Sequence, residues 1–161
     1  MRRLVLIATM LLVGTWVCLR DSDVSIFAIS RAEHATIEQQ NVNAEKEAIR
    51  LVIQQYFDVT DRRDYESLKK AFHPDAKLMS VGNNGLNQMT LEQWWGRVSR
   101  ISGNIDRKMT ISSIEVQGIA AIVKTDESRG GRYRSSDFIS LLKIDDQWKI
   151  VNKLLSTKLN V

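Results

Sequence analysis

The sequence has few of the residues that mark specialised classes of protein. Its 161 residues include one cysteine, Cys18, which cannot form a disulfide within the chain and argues against redox chemistry. The two histidines, His34 and His73, are far apart, and neither has an acidic residue at helical ligand spacing. The sequence has neither a glycine-rich phosphate loop nor a glycine-flanked catalytic serine. We therefore expect no metal and no cofactor.

Neither sign of charge dominates the chain. The net charge of +4 arises from 23 basic and 19 acidic residues, which are interspersed almost everywhere. Such a mixed surface keeps a protein soluble and argues against a nucleic-acid partner. With 43% hydrophobic and 26% charged residues, the composition is typical of one globular domain.

The one long apolar run lies at the N-terminus and has the layout of a secretory signal. Arg2 and Arg3 precede an apolar stretch over residues 4–19. At about 1.5 Å per residue this stretch reaches about 24 Å, short of the ~30 Å hydrocarbon core of a membrane. We predict a signal peptide or a retained anchor over residues 1–19, and a domain that is periplasmic or secreted. Membrane contact is expected only through this segment if it is not cleaved. The polar, aperiodic residues 20–42 are interpreted as a tether or a frayed helical extension.

Three helices are predicted at the start of the domain, which we place at residues 43–161. A long first helix should begin near Asn43, because apolar residues then recur at helical spacing. Asp64 can cap a shorter second helix that Pro74 ends. Thr90 opens a third helix with a capping-box pattern. The apolar stripe of the first helix comprises Ile49, Val52, Ile53, Tyr56 and Phe57.

Strand patterns and turns follow the second helix. A strand is predicted over residues 78–81, and a turn at Gly82-Asn83-Asn84-Gly85, since glycine and asparagine tolerate positive φ. From Lys108 onward the apolar residues alternate, with a bulge predicted at Ser112-Ser113. Three more strands are predicted over residues 119–126, 132–144 and 148–158. Helices ahead of a long antiparallel sheet must bury their stripes on one of its faces, which predicts an α+β fold.

The order of these elements and several short motifs resemble the nuclear transport factor 2-like superfamily. The motifs are Tyr56, the Phe72-His73-Pro74-Asp75-Ala76 junction, Asp137 ahead of Leu141-Leu142-Lys143-Ile144, and Trp148-Lys149-Ile150-Val151-Asn152-Lys153. Within the superfamily, residues 44–158 are most similar to the group called "putative lumazine-binding" and to SnoaL-like proteins. The resemblance implies a cone-shaped curved antiparallel sheet wrapped around the N-terminal helices. It also implies a pocket at the wide end and a homodimer formed through the outer sheet face.

One branch of this superfamily, the ketosteroid isomerases, is matched only in part. These enzymes use a tyrosine on the first helix, an aspartate that moves the proton, and a second buried acid. Tyr56 matches the tyrosine, but a gapless alignment places the general base at Ser80 and the second acid near Ser140. Serine does not carry protons at neutral pH without an activating group. Isomerase chemistry is therefore not indicated, although these three residues can line a pocket for a polar ligand.

Several other side chains have both a structural and a functional interpretation. His73 has a pKa suited to a general base, but its position beside a proline at a helix end favours a capping role. Asp137 lies in a strand that turns apolar and needs a partner, either Arg134 or Lys153. An ion pair and a pocket acid are equal alternatives for it. Adjacent Trp94 and Trp95 point about 100° apart on a helix, so one should pack in the core and the other border a pocket or dimer contact.

The leading hypothesis is an exported domain that binds a small, partly apolar organic molecule. The predicted contacts are Tyr56, Ser80, Trp95, Asp137, Ser140 and Lys153. The first alternative is a general acid-base enzyme of isomerase, dehydratase or cyclase type, with Asp137, His73 or Tyr56 as catalytic candidates. The second is a homodimeric envelope interaction module that pairs through its exposed sheet face.

Overall fold

Within residues 21–100 and 106–157, which the computed structural model describes, the protein contains three helices and six strands. The predicted signal peptide over residues 1–19 lies outside this part. The elements are α1 (Asp21–Asp61), α2 (Tyr65–Ala71), β1 (Phe72–Gly82), β2 (Gly85–Thr90), α3 (Leu91–Val98), β3 (Arg107–Gln117), β4 (Ala120–Arg129), β5 (Arg132–Ile144) and β6 (Gln147–Thr157). Of the described residues, those from Asp21 to Glu38 belong to one compact unit and those from Gln39 onward to another. No helix among the described residues is both long and apolar enough to cross a membrane.

Helix α1 begins earlier than the apolar periodicity predicted. It starts at Asp21, so Asn43 lies inside the helix and the prediction that the helix begins near Asn43 is wrong. Of the two interpretations of residues 20–42, the helical extension is the one that the structure has. Residues 31–41 are exposed, and they contain no glycine or proline to stop a helix. Their intrinsic helix propensity favours this extension, and helix propensity does not require a periodic pattern of apolar residues.

The apolar stripe of α1 is buried as predicted. Ile49, Ile53 and Tyr56 are at most 1% exposed, and their spacing of four and three residues places them on one face of the helix. Full burial of an aliphatic side chain of this size stabilises a fold by about 1.5–3 kcal/mol. The stripe therefore anchors α1 in the core and fixes the orientation of Tyr56.

The junction between α2 and β1 differs from the prediction in its details. Asp64 caps α2 as expected and accepts a hydrogen bond from the Ser67 backbone N–H at 3.0 Å. The helix then ends at Ala71, so the buried Phe72 belongs to β1 rather than to the helix. Pro74 also lies within β1. The ladder between β1 and β6 is interrupted between Phe72 and Lys77, so the missing N–H of the proline breaks no bond there.

Local turn and capping signals were predicted correctly. The chain reverses between β1 and β2, and only Gly85 in this turn has a positive φ, at 93°. At the start of α3, the Thr90 hydroxyl accepts from the Gln93 N–H at 3.2 Å, and the Gln93 side chain accepts from the Thr90 N–H at 3.0 Å. This is the predicted capping box. Because β2 runs directly into it, α3 has a fixed starting position.

The strands form one curved, unclosed sheet in the order β2-β1-β6-β5-β4-β3. The α+β fold is confirmed, but the sheet is mixed rather than wholly antiparallel, because β1 and β6 are parallel. The direction of β6 is set by its hairpin with β5, and it meets β1 only after the chain has crossed the rest of the sheet. The bulge predicted at Ser112-Ser113 is confirmed by a register shift between Ile111 and Ser113.

Within the unit that starts at Gln39, the helices cover one face of the sheet, which we call the inner face. Across its middle, Leu78, Lys153, Ile139 and Val123 lie side by side on β1, β6, β5 and β4. All four side chains are at most 3% exposed. Three of them are aliphatic and one is a lysine. A charged group at the centre of an apolar row needs partners, and these define the candidate site.

Candidate functional site

Three polar side chains meet on the inner face, and we call them the buried triad. They are Tyr56 of α1, Asp137 of β5 and Lys153 of β6, which are 1%, 4% and 3% exposed. The Lys153 ammonium donates to the Tyr56 hydroxyl at 2.6 Å and lies 2.9 Å from Asp137 Oδ2. Lys153 is directly opposite Ile139, which makes Asp137 its diagonal neighbour on the adjacent strand. The sheet register and the α1 stripe together therefore build the triad.

Aromatic rings surround the Lys153 ammonium. It lies 5.1 Å from the centre of the Tyr56 ring and 5.4 Å from that of Trp94, within the range of cation-π attraction. Phe72 packs edge-on against Tyr56, with ring centres 5.4 Å apart. Of the two adjacent tryptophans on α3, Trp94 is the one that packs in the core, and it lies beside Lys153. The adjacent positions on α3 left this choice open. That Trp95 contacts a ligand stays a prediction.

The environment of Lys153 keeps it charged. Burial opposes the ammonium form, but attraction to Tyr56 and Asp137 outweighs burial, so the pKa of Lys153 is raised above its ordinary value. Of the two alternatives for Asp137, the structure has the ion pair, and the partner is Lys153. In this ion pair the Asp137 carboxylate is an acceptor of hydrogen bonds.

The buried triad leaves hydrogen-bonding capacity unused. Asp137 Oδ1 is closed off from solvent and has no hydrogen-bond partner among the residues described. The Tyr56 oxygen accepts from Lys153, which leaves the phenolic proton available for donation. The triad thus offers one acceptor and one donor. A water molecule or a ligand could use both.

The two serines predicted to line the pocket lie on different faces of the sheet. Ser80 is half-buried and is two residues from Leu78, so the alternation of β1 places it on the inner face. Ser140 lies between the buried Ile139 and Leu141, and alternation directs it to the opposite, outer face. There it borders a concavity of about 480 Å³. The structure therefore does not bring Ser140 together with Tyr56.

The concavity on the outer face has a mostly apolar lining. It is lined by Glu115, Val116, Gln117, Ala120, Ala121, Ile122, Ser140, Leu141, Leu142 and Val151.

The remaining candidates have local roles. His73 Nδ1 accepts a hydrogen bond from the Asp75 backbone N–H at 3.2 Å, whereas the predicted capping role was toward carbonyl groups. Trp95 is half-buried and stacks on Tyr65, with ring centres 5.4 Å apart. Among the described residues, no group of three or more histidine, cysteine, aspartate or glutamate side chains is placed to hold a metal ion.

A second cluster with similar chemistry, the half-exposed triad, was not predicted. Glu45 of α1 accepts from the Lys143 ammonium at 2.6 Å and from the Trp148 indole N–H at 2.7 Å. The hydrogen bond from Lys143, followed by that from Trp148, lowers the pKa of the Glu45 carboxyl. The partners are 98 and 103 residues away along the chain. No local pattern signals such distant contacts.

Solved structures share this arrangement of helices and sheet, which defines the class as an NTF2-like α+β domain. An NTF2-like protein of unknown function from Shewanella baltica is 23% identical, with a TM-score of 0.63 over 71% of this chain and 94% of that one. A similar protein from Silicibacter pomeroyi is 20% identical, with a TM-score of 0.63 over 72% and 98%. A cystatin-like-fold domain of unknown function from Nostoc punctiforme is 17% identical, with a TM-score of 0.58 over 73% and 80%.

Within this class, the sequence itself identifies the family. The model of the family described as "Putative lumazine-binding" matches residues 44–156, and the chain belongs to that family. A comparison with curated proteins finds no match.

Proposed function

We propose that the domain binds a small, partly apolar organic molecule on the inner face of the sheet, at the buried triad. The unpaired, buried oxygen Asp137 Oδ1 is the observation that carries this proposal. A buried polar atom without a partner costs about 1–3 kcal/mol, and more when the group is charged. A ligand that donates a hydrogen bond to this oxygen recovers that free energy. The family's description, that of a small-molecule-binding domain, agrees with this proposal.

The triad also sets the chemistry of the ligand. Asp137 Oδ1 requires a donor such as a hydroxyl or an N–H group, and the Tyr56 hydroxyl can serve an acceptor. Trp94 and Phe72 supply aromatic surface beside these polar groups. The complementary molecule has a donor and an acceptor on an apolar or aromatic body, in keeping with the apolar lining and few polar groups of most ligand sites.

Access to the triad requires side chains to move. Leu155 pairs directly with Asp137, and Ile111 lies on the same row of the sheet, opposite Thr125. Both Leu155 and Ile111 are only partly buried. We propose that a ligand displaces these two side chains, because they lie between Asp137 and the less buried part of the inner face.

Native mass spectrometry of the full chain, purified gently from its own host, tests the proposal. A stoichiometric small-molecule adduct is expected, and Tyr56→Phe should abolish it. Glu45→Gln is the matched control, because it alters the half-exposed triad and should leave the adduct in place. If the unmodified chain is folded and carries no adduct, binding at the triad is refuted.

The acid-base enzyme has less support. Asp137 is paired with Lys153, and His73 already accepts a hydrogen bond from the backbone of Asp75. A proton carrier must have access to the reacting group and a pKa near the working pH.

The proposal includes export, on the strength of the sequence of residues 1–19. N-terminal sequencing of the protein recovered from the cell envelope tests this, and a mature terminus beyond residue 19 is the expected result. Recovery of the whole protein from the cytoplasm would refute it.

Self-association through the outer sheet face is a second candidate function. Phe138 and Leu154 form a direct cross-strand pair on this face and are 41% and 46% exposed. Ile122 and Leu142 are also exposed on it. Contiguous apolar surface of this kind marks interaction sites, and a twofold dimer is the commonest assembly. We propose a homodimer in which two copies bury these side chains.

Sedimentation equilibrium tests the homodimer. The full chain should sediment as a dimer at micromolar concentration, and Phe138→Glu should convert it to a monomer. Lys70→Glu, at an exposed position of α2 on the other side of the sheet, controls for the charge and should leave the dimer intact. A monomeric unmodified chain at these concentrations would refute the homodimer.

A further inference from the structure

Arg107, at the start of β3, is a cation with an unused donor. Its side chain is 15% exposed, and its Nη2 forms an ion pair with Asp61 Oδ1 at 2.8 Å. Its Nε has no hydrogen-bond partner within residues 21–100 and 106–157. A buried donor in this part of the chain is therefore left to be satisfied.

Arg107 lies on the same face of the sheet as the buried triad. Met109 and Ile111 follow it at alternate positions of β3 and pack against the core, so Arg107 also belongs to the inner face. Ile111 is opposite Thr125, which is opposite Asp137. A path along the inner face thus leads from Arg107 past Ile111 to Asp137.

The residue directly opposite Arg107 provides an internal comparison. Arg129 pairs with Arg107 across β3 and β4, and like charges in such positions repel. Arg129 Nε donates to Glu127 at 2.6 Å, and this glutamate side chain is only 13% exposed. Arg107 has instead the carboxylate of Asp61, which is 54% exposed. Both arginines are paired with a carboxylate, but only Arg107 has an Nε without a hydrogen-bond partner among the described residues.

A guanidinium group with free N–H bonds matches the geometry of carboxylate and phosphate groups. Resting on the proposed function, we propose that Arg107 binds the anionic group, a carboxylate or a phosphate, of the same molecule whose hydrogen-bond donor meets Asp137. Arg107 and Ile111 are four residues apart on β3, a distance of about 13 Å along the strand. Strands β3 and β5 are two strands apart, a distance of about 10 Å across the sheet. One functional group cannot reach both side chains. The ligand is therefore an elongated acid, with its anion toward Arg107 and its donor toward Asp137.

The Nε–Hε signals of the two arginines, recorded by ¹H–¹⁵N NMR on the full chain, test the anion site without the natural ligand. Acetate and inorganic phosphate are titrated separately at constant ionic strength, with Arg107→Gln assigning the signal. We expect a saturable shift at Arg107 and none at Arg129, whose Nε is already bonded. A response to acetate alone assigns a carboxylate, and a response to phosphate alone assigns a phosphate. No saturable response, or equal responses from both arginines, overturns the inference.

Mass spectrometry separates this inference from the proposed function. Arg107→Gln should weaken retention of the adduct at least tenfold, while Arg129→Gln should leave it unchanged. If Tyr56→Phe abolishes the adduct and Arg107→Gln does not weaken it, the binding function stands and the role of Arg107 is refuted. If the unmodified chain carries no adduct, the shared ligand is refuted together with the proposed function.

Discussion

The domain pairs a lysine ammonium with a carboxylate beside an aromatic side chain twice, in different surroundings. In the half-exposed triad, Glu45 uses one carboxylate oxygen for Lys143 and the other for Trp148. In the buried triad, Asp137 uses one oxygen for Lys153, and the other has no partner in the part of the chain that the structure describes. Both carboxylate oxygens of the half-exposed triad thus have hydrogen-bond partners, whereas one oxygen of the buried triad has none among the described residues.

This contrast separates a structural role from a binding role. The Glu45 and Lys143 side chains are 32% and 26% exposed, so water can hydrogen-bond to these two groups where the protein does not. Bulk water does not reach the side chains of the buried triad, so each hydrogen bond that is not made there costs free energy. A cluster that served only to join α1 to the sheet would gain stability from an apolar replacement. The unsatisfied oxygen Asp137 Oδ1 therefore favours a hydrogen-bond partner outside the described part of the chain.

The largest difference between the triads should appear when each loses its carboxylate. Asp137→Ala should destabilise the fold by about 3–5 kcal/mol, because it leaves the Lys153 ammonium buried without a counter-charge. Glu45→Ala should cost only about 1 kcal/mol, since Lys143 can turn to water. Urea unfolding followed by circular dichroism measures both changes.

A double variant shows whether burial of charge causes the difference. Asp137→Leu combined with Lys153→Met should recover most of the stability lost in Asp137→Ala, because no unpaired charge remains. Equal losses in Asp137→Ala and Glu45→Ala would contradict the contrast between the triads.

Alkaline pH should weaken the buried triad. The pKa of Lys153 is raised in the folded state, so its contribution to stability is fully present below the unfolded value of 10.5. That contribution is lost as the pH rises through the folded pKa. Thermal unfolding between pH 9 and pH 12 should show a steeper loss of stability for the unmodified chain than for the Asp137→Leu, Lys153→Met double variant. Parallel curves would show that Lys153 is not stabilised by its partners.

Acidic pH should weaken the half-exposed triad by a smaller amount. The pKa of Glu45 is lowered, so its contribution is present above the unfolded value of 4.5 and is lost as the pH falls through the folded pKa. Glu45→Gln should cost about 1 kcal/mol at pH 7. The difference from the unmodified chain should shrink below pH 4 in urea unfolding. A difference that stays constant with pH would assign the effect to packing instead.

Much of the fold could be predicted because its signals are local. The α1 stripe, the Asp64 and Thr90 caps and the Gly85 turn each depend on a few neighbouring residues. The extension of α1 to Asp21 was only one of two interpretations, because residues 31–41 are exposed and carry no hydrophobic period. The parallel pairing of β1 with β6 was missed because it depends on the path of the chain through all the elements between these two strands.

The candidate site was predictable residue by residue but not as an assembly. Tyr56, Asp137 and Lys153 were each singled out, and an ion pair with Lys153 was one of two options for Asp137. Their meeting depends on strand register, which places Lys153 diagonal to Asp137. The half-exposed triad joins residues about a hundred positions apart, and the choice of Trp94 over Trp95 depends on how α3 packs.

Ser140→Ala should have the smallest effect of all. Asp137 and Ser140 are separated by three positions in one strand, and residues an odd number of positions apart point to opposite faces. The alternation of side chains along β5 thus explains why Ser140 does not lie with the buried triad. We expect a stability change within about 0.5 kcal/mol and an unchanged adduct in native mass spectrometry. Loss of the adduct in this variant would move the binding site to the concavity on the outer face, where Ser140 lies beside Ile122 and Leu142.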